Sequence, residues 1–165
     1  MLKEALDSVR VQSLAPCDVV VGIDPYRLGE VGNMNRLIDA TDSEWLAFLH
    51  DDDVWHPDHL LHAMEHQDAD VIVSDFDLVG RPSGSIEPFH DDWNDLRFTN
   101  WYPPSAVVVR RSVFGHWTDP PQQPPRDWVD WANWRRLLDA GARFTRTHHT
   151  TLQYRFLGGN GSWSA

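Results

Sequence analysis

The 165-residue sequence contains one cysteine, Cys17, which excludes an intramolecular disulfide bond and fits a reducing compartment. We therefore expect a cytoplasmic protein. Basic residues are also few, because 14 Lys and Arg stand against 25 Asp and Glu, and the formal net charge is −11. Binding to a nucleic-acid backbone requires a concentrated basic face, so we expect no nucleic-acid partner.

Long hydrophobic runs are absent as well. No apolar stretch approaches the roughly 20 residues that a membrane-spanning helix needs, so we expect no transmembrane segment. The first residues, MLKEALDSV, have apolar side chains at helical spacing but no apolar core, which predicts an amphipathic helix rather than a signal peptide. The length suits one domain, and we assign residues 1–165 to it.

What the sequence does contain is an alternation of strand and helix patterns. Strands are predicted at residues 18–24, 45–49, 70–79, 105–109 and 144–156, and helices at residues 2–13, 31–40, 57–66 and 127–140. Strands that alternate with helices are typical of an α/β fold with a parallel sheet. We therefore predict a mostly parallel sheet flanked by helices, in three layers.

The stretch WLAFLHDDDVWHPDHLL carries the strongest chemical signal. The carboxylates of Asp51, Asp52 and Asp53 follow an apolar strand pattern and precede a helix that starts near Pro57. This places them at the carboxyl end of a strand, where open α/β sheets bind ligands. Adjacent carboxylates repel one another, and Mg²⁺ or Mn²⁺, which prefers oxygen ligands, would relieve that repulsion. A solvated acidic turn is the alternative, since carboxylates that face water cost little.

The acidic stretch FLHDDDVWHPDHL resembles the DXD motif region of family 2 glycosyltransferases, which have the GT-A fold. Further similarity lies in LKEALDSVRVQS, VVVGID, SAVVVRRSVF and RDWVDWANWRRLLDAG, so the resemblance covers nearly the whole chain. It implies a GT-A-like fold and a metal-dependent, inverting glycosyltransferase of hexosyltransferase type. The donor would be a nucleotide-diphosphate sugar, and the acceptor a hydroxyl of a glycan, a protein or a lipid.

The resemblance also implies roles for individual residues. The acidic triplet would hold the Mg²⁺ or Mn²⁺ ion that bridges the donor diphosphate, and Asp51 would also contact the donor. Asp24, which ends VVVGID, would contact the nucleotide base, and Asn35 matches an Asn of many members. Asp127 occupies the position of the general base. Asp is also a favoured N-cap residue, so capping of the last helix is the alternative role for Asp127.

Other site assignments depend on less specific features. Many members have a metal-binding His near the position of Leu157. Either this ligand is absent here, or His148 or His149 takes its place, and we name His149 as the candidate. Trp101 and Tyr102 precede a Pro-Pro pair in a loop, so we expect them to stack on the acceptor. Trp128 belongs to a stripe of tryptophans at every third residue, and we include it among the acceptor-binding residues although such a stripe is more often core.

His50 stands where many family members have the first acid of the motif, and the sequence departs from the family pattern in three further places. Family members usually begin with a strand before the first helix, whereas this sequence starts at the helix, so we expect an N-terminally truncated fold. Met34 stands where many members have Arg, and Arg126 where they have Glu. A missing strand leaves a sheet edge open, which would favour a homo-oligomer.

Alternative interpretations remain at the level of the residues and of the whole protein. Asp75 and Asp77 form a second D-x-D within a strand pattern, and His59, His62 and His66 have helical spacing that suits a metal or a solvated face. The departures favour a non-catalytic binding or assembly module with the same fold. A metal-dependent nucleotide-sugar hydrolase is a third hypothesis.

Overall fold

A computed structural model describes residues 1–24, 28–80, 91–100, 102–119 and 128–155. The helices in this part of the chain are Leu2–Arg10 (α1), Gly29–Asp39 (α2), His59–Met64 (α3), Arg111–Phe114 (α4) and Val129–Asp139 (α5). The strands are Trp45–Ala47 (β1), Val54–Trp55 (β2), Val71–Val79 (β3), Val107–Arg110 (β4) and Phe144–Arg155 (β5). Two 3₁₀ turns, Trp93–Arg97 and Pro104–Ala106, complete the regular structure.

The five strands form one mixed sheet in the order β1-β4-β3-β5-β2. The predicted α/β combination of a sheet with helices is confirmed, but the described strands are not mostly parallel. Only β3 and β5 run parallel, while the other three pairings are antiparallel. Apolar patterns show that a segment is a strand but not which neighbour it pairs with, so sequence alone did not reveal strand direction.

Residues 18–24 differ most from the prediction of a buried strand. They have no regular structure, and their apolar side chains are exposed, with Val19 at 51% and Ile23 at 73%. An extended segment becomes a strand only when a neighbour accepts and donates its backbone hydrogen bonds. None of the described strands pairs with this segment.

A cavity of about 890 Å³ separates this segment from the sheet. Its apolar walls include Val19 and Val21 on one side and Leu46 of β1 on the other. β1 is one of the two terminal strands of the described sheet and pairs only with β4. The open sheet edge expected from the sequence therefore lies at β1.

The core lies on the central strands. Val71, Val73 and Val109 have no exposed surface, and α5 packs Trp134 and Leu137 into the same cluster. Helix α5 ends before Gly141, whose φ of 81° is readily adopted only by glycine. Within the described residues, no helix is long and apolar enough to span a membrane.

Helix α1 and the turn that follows it hold the segment after the acidic triplet in place. The Gln12 side chain donates to the carbonyl of His56 at 2.8 Å and accepts from the amide of Leu60 at 3.0 Å. The Ser8 hydroxyl accepts from the amide of Trp55 at 3.2 Å. These contacts hold β2 and the start of α3 in place, and so fix the carboxyl-terminal end of the acidic loop.

Candidate functional site

The structure brings His50, Asp52 and Asp53 together in the loop between β1 and β2. One ligand atom from each residue lies within 4.8 Å of the others. Asp51, which we predicted as a ligand of both metal and donor, is exposed and does not belong to this group. His50 was not predicted as a ligand, because an imidazole in place of the family's first acid looked like a loss of the motif.

One hydrogen bond within the loop and two to other elements set the shape of this loop. The amide of Asp53 donates to the carbonyl of His50 at 3.2 Å, which closes a tight turn. The amide of His50 donates to the Ser105 hydroxyl at 3.1 Å, and the amide of Arg155 donates to Oδ1 of Asp53 at 3.0 Å. The loop is therefore anchored to the turn before β4 and to the end of β5.

The carboxylate of Asp53 is the most unusual group in the loop. It has no exposed surface, and its Oδ2 atom has no hydrogen-bond partner among the described residues. Burial raises the pKa of Asp53, and the charge of Asp52 adds to the increase, while hydrogen bonds from Ser105 and from the Arg155 amide oppose it. A buried, unpartnered carboxylate oxygen is costly unless a proton or a cation satisfies it.

This arrangement fits the divalent cation that the sequence predicted. The two carboxylates of Asp52 and Asp53 supply the oxygen ligands that Mg²⁺ and Mn²⁺ prefer, and the unpartnered Oδ2 has a coordination position to offer. The imidazole of His50 adds a nitrogen donor on the same side. The acidic loop is therefore the candidate cation site of the described chain.

Asp130, in the first turn of α5, is a carboxylate whose pKa is affected by His50 of the acidic loop. Burial raises its pKa, a nearby His50 lowers it and Glu30 raises it, while hydrogen bonds from Asn100 and from the Trp131 amide lower it. Asp127, the predicted base, lies outside the described residues.

Asp24 and Asn35, the other predicted donor ligands, are engaged in hydrogen bonds within the protein. The Asp24 carboxylate accepts from the amides of Leu28 and Gly29, both at 2.9 Å, at the start of α2. The Asn35 side chain donates to the Trp117 carbonyl at 2.9 Å and accepts from the Trp117 amide at 2.8 Å. Both side chains therefore form hydrogen bonds with backbone groups of the protein in this structure.

The predicted acceptor-binding residues have different environments. Tyr102 is only 2% exposed, its carbonyl accepts from the indole of Trp134, and burial raises the pKa of its phenol to about 12. Its ring is part of the core, so it offers no surface for stacking, contrary to our expectation. Trp128 is half-buried at the N-cap of α5, and Trp101 lies outside the described residues.

The second D-x-D does not form a cation site. The Asp75 carboxylate is buried and forms an ion pair with Arg146, whose Nη2 donates to Oδ2 at 2.7 Å. Asp77, two residues later on β3, is exposed. This supports the choice of the acidic loop over Asp75 and Asp77. His149, the predicted third metal ligand, groups with His62 and Glu65 instead of the acidic loop.

The cavity beside β1 reaches this site. Its lining is largely apolar but includes His50 and Asp51 of the acidic loop, together with Glu30 and Asn33 of α2. Its volume of about 890 Å³ falls in the range of about 300–1,000 Å³ that is usual for small-molecule sites. A ligand beside His50 and Asp51 would therefore lie against the acidic loop.

Comparison with known proteins identifies a matching sequence family and solved structures of similar fold. The sequence model of "Glycosyl transferase family 2" matches residues 3–115, which include α1, the acidic loop and β4. None of the curated proteins matches the chain at the sequence level.

Solved structures of S. aureus TarS are similar in fold. TarS 1-349 in complex with UDP-GlcNAc matches 99% of this chain with a TM-score of 0.65 and 12% identity, and TarS 1-349 in complex with UDP matches 94% with a TM-score of 0.60. The chain spans 58% and 56% of those two structures. At this identity the likeness concerns the fold alone, and it confirms the predicted GT-A-like fold class.

Proposed function

Because the chain belongs to glycosyl transferase family 2, we propose that it moves a sugar, of hexose type, from a nucleotide-diphosphate donor to an acceptor hydroxyl with inversion. The observation that carries this proposal is the buried Oδ2 of Asp53, unpartnered among the described residues and grouped with Asp52 and His50. A cation site of this kind is what a leaving diphosphate requires. The single cysteine fits a cytoplasmic setting for the reaction.

In this proposal Asp52 and Asp53 hold Mg²⁺ or Mn²⁺, and the exposed Asp51 faces the donor at the rim of the cavity. When bound, the cation supplies electrostatic stabilisation for the charge that develops on the leaving diphosphate. Asp53 keeps its Oδ1 on the Arg155 amide, which leaves Oδ2 for the cation. His50 adds a ligand or a hydrogen bond to the same group.

Inversion requires one displacement, in which the acceptor oxygen attacks the anomeric carbon as the diphosphate leaves. A carboxylate must take the proton of the acceptor hydroxyl, and a raised pKa improves a carboxylate for that task near neutral pH. We assign this role to Asp127 on the family resemblance. Asp130, with its raised pKa beside the acidic loop, is the second candidate.

A uridine diphosphate sugar is the first donor to test, because the TarS structures of similar fold are complexes with UDP-GlcNAc and with UDP. The acceptor class remains a glycan, a protein or a lipid. Trp128, half-buried at the start of α5, is positioned one turn ahead of Trp131 and is our described candidate for the acceptor side, together with Trp101.

The test is a thermal-unfolding panel of UDP, GDP, dTDP and CMP, each with and without Mn²⁺. A ligand that binds only the folded state stabilises it by about 2.7 kcal/mol at 100 times its dissociation constant. We expect one nucleoside diphosphate to raise the melting temperature only when Mn²⁺ is present. If no nucleotide shifts the melting temperature of well-folded protein, the donor-binding proposal is wrong.

A non-catalytic binding module is the second candidate, favoured by the engagement of Asp24 and Asn35 in backbone hydrogen bonds. Such a module would show the Mn²⁺-dependent shift but no release of nucleoside diphosphate from a nucleotide sugar. A hydrolase would release it without any acceptor. A turnover assay with and without a panel of acceptors separates the three functions.

A further inference from the structure

A second group of metal-ligand side chains lies outside the acidic loop, where α3 packs against β5. His62 in α3 and Glu65, the residue that caps its end, are three positions apart and therefore lie on the same side of the helix. His149 reaches the same place from β5, and its ring stacks on that of His62 with centroids 3.7 Å apart and planes 8° apart. Ligand atoms of the three residues lie within 4.8 Å of one another.

An irregularity in β5 directs His149 to this position. Along the β3–β5 ladder, Val73 pairs with Arg146 and Asp75 with Thr150, so three residues of β5 lie opposite Ser74 alone. His148, inside this bulge, has a φ of 56°, which is unusual for a residue with a side chain. Bulges redirect side chains, and backbone strain of this kind is often associated with functional sites.

We propose that His62, Glu65 and His149 form a second metal site, which binds a borderline transition-metal ion such as Zn²⁺ and links α3 to β5. Two imidazoles and one carboxylate are an established zinc donor set, with a fourth position open to water. The carboxylate of Glu65 already lies 3.1 Å from Nδ1 of His62. The side chains of His62 and Glu65 are 24% and 55% exposed, so they can rotate towards an ion and the ion can enter from solvent.

The chemistry of this group differs from that of the acidic loop, and the proposal does not depend on the proposed function. Nitrogen donors dominate here and select zinc-like ions, whereas two carboxylates in the loop favour Mg²⁺ and Mn²⁺. The neighbouring histidines do not complete the set. His59 is buried and bonded to Thr151, and His66 is not part of the group.

Calorimetric titration of the protein, free of any histidine tag, with zinc chloride tests the site. Millimolar Mg²⁺ is present throughout to fill the acidic loop. We expect one Zn²⁺ per chain and a rise in melting temperature. His149→Ala and His62→Gln should each weaken zinc binding at least about tenfold, because removal of one of three protein ligands leaves an incomplete site. The matched control, His66→Gln on the same helix, should bind zinc within about twofold of the wild type.

Cobalt substitution gives a second readout that does not depend on stability. Co²⁺ bound by this donor set should show visible absorption bands that disappear in His149→Ala and persist in His66→Gln. The proposal is overturned if the wild type binds no zinc, or if its zinc affinity survives both His62→Gln and His149→Ala. Loss of zinc binding in Asp52→Asn, with retention in His149→Ala, would also overturn it, because the ion would then belong to the acidic loop.

Discussion

The main-chain amide of Arg155, the last residue of β5, donates a hydrogen bond of 3.0 Å to Oδ1 of Asp53 in the acidic loop. This bond joins residues that are 102 positions apart in the sequence, and it fixes which carboxylate oxygen is occupied. The other oxygen, Oδ2, is buried without a partner among the described residues. The cation site that we propose therefore depends on β5 as much as on the acidic triplet itself.

Replacement of Asp53 by Asn separates cation binding from folding. Asn keeps the shape and an oxygen for the Arg155 amide, but it removes the buried charge whose pKa is raised by burial. We expect Asp53→Asn to lose Mn²⁺ binding while its metal-free melting temperature equals or exceeds that of the wild type. Melting curves with and without Mn²⁺ check this. A metal-free variant that is much less stable would show that Asp53 is structural.

His59 should make the protein sensitive to acid. It is 1% exposed and stacks on Trp55 at 4.5 Å, and burial lowers its pKa from 6.5 to about 3. The unfolded chain takes up a proton below pH 6.5 and the folded chain does not, so stability is lost as the pH falls from about 6.5 towards 3. Within that window, protonation of His59 in the unfolded chain lowers the free energy of unfolding by about 1.4 kcal/mol for each pH unit.

The comparison variant for this effect is His59→Gln, which cannot titrate. Chemical denaturation at several pH values should give a stability difference between wild type and variant that shrinks as the pH is lowered from 6.5. A difference that stays constant with pH would mean that His59 gains a proton in the folded state as readily as in the unfolded state.

The two candidate general bases are Asp127, which precedes α5 in the sequence, and Asp130, in its first turn. Substitution of each by Asn distinguishes them. A positioned general base contributes roughly 10²–10⁴-fold to the rate. We expect Asp127→Asn to reduce kcat by that factor with little change in donor affinity. Asp130→Asn should reduce kcat less, because its carboxylate is already engaged by Asn100 and by the Trp131 amide. The reverse order of effects would assign the base role to Asp130.

Asn35 should matter for stability more than for donor binding. Its side chain makes two hydrogen bonds to the backbone of Trp117, which tie α2 to the segment after α4. Asn35→Ala leaves that backbone unsatisfied, at a cost of about 1–3 kcal/mol in the free energy of unfolding. Denaturant unfolding and nucleotide titration of the same variant check this. A large loss of nucleotide affinity without a loss of stability would restore the predicted donor contact.

Much of the fold could be predicted from local patterns. The apolar spacing in α1, α2 and α5 and the β-branched runs in β3 and β4 located those elements, because each buries one face or both on the core. The segment of residues 18–24 has the same composition as a strand, yet none of the described strands pairs with it and its apolar side chains are exposed. The composition of a segment shows that its side chains could be buried. Burial also requires a neighbouring element from elsewhere in the fold, which composition does not reveal.

The candidate site was predicted in part for a similar reason. The position of the acidic triplet between a strand and a Pro-started helix identified the loop, but not that His50, instead of Asp51, groups with Asp52 and Asp53. The grouping of His149 with α3 depends on a bulge in β5, and no periodicity in the sequence marks a bulge. Long-range register decides such contacts, and it was not readable from local patterns.

The most direct test of the central claim is calorimetric titration with the nucleoside diphosphate that shifts the melting temperature, in the presence of Mn²⁺. It should be carried out on wild type, Asp52→Asn and His149→Ala. We predict at least about tenfold weaker nucleotide binding in Asp52→Asn and unchanged binding in His149→Ala, because only the acidic loop holds the cation for the diphosphate. Equal nucleotide affinity in wild type and Asp52→Asn, each in the presence of Mn²⁺, would contradict the assignment of the acidic loop as the donor site.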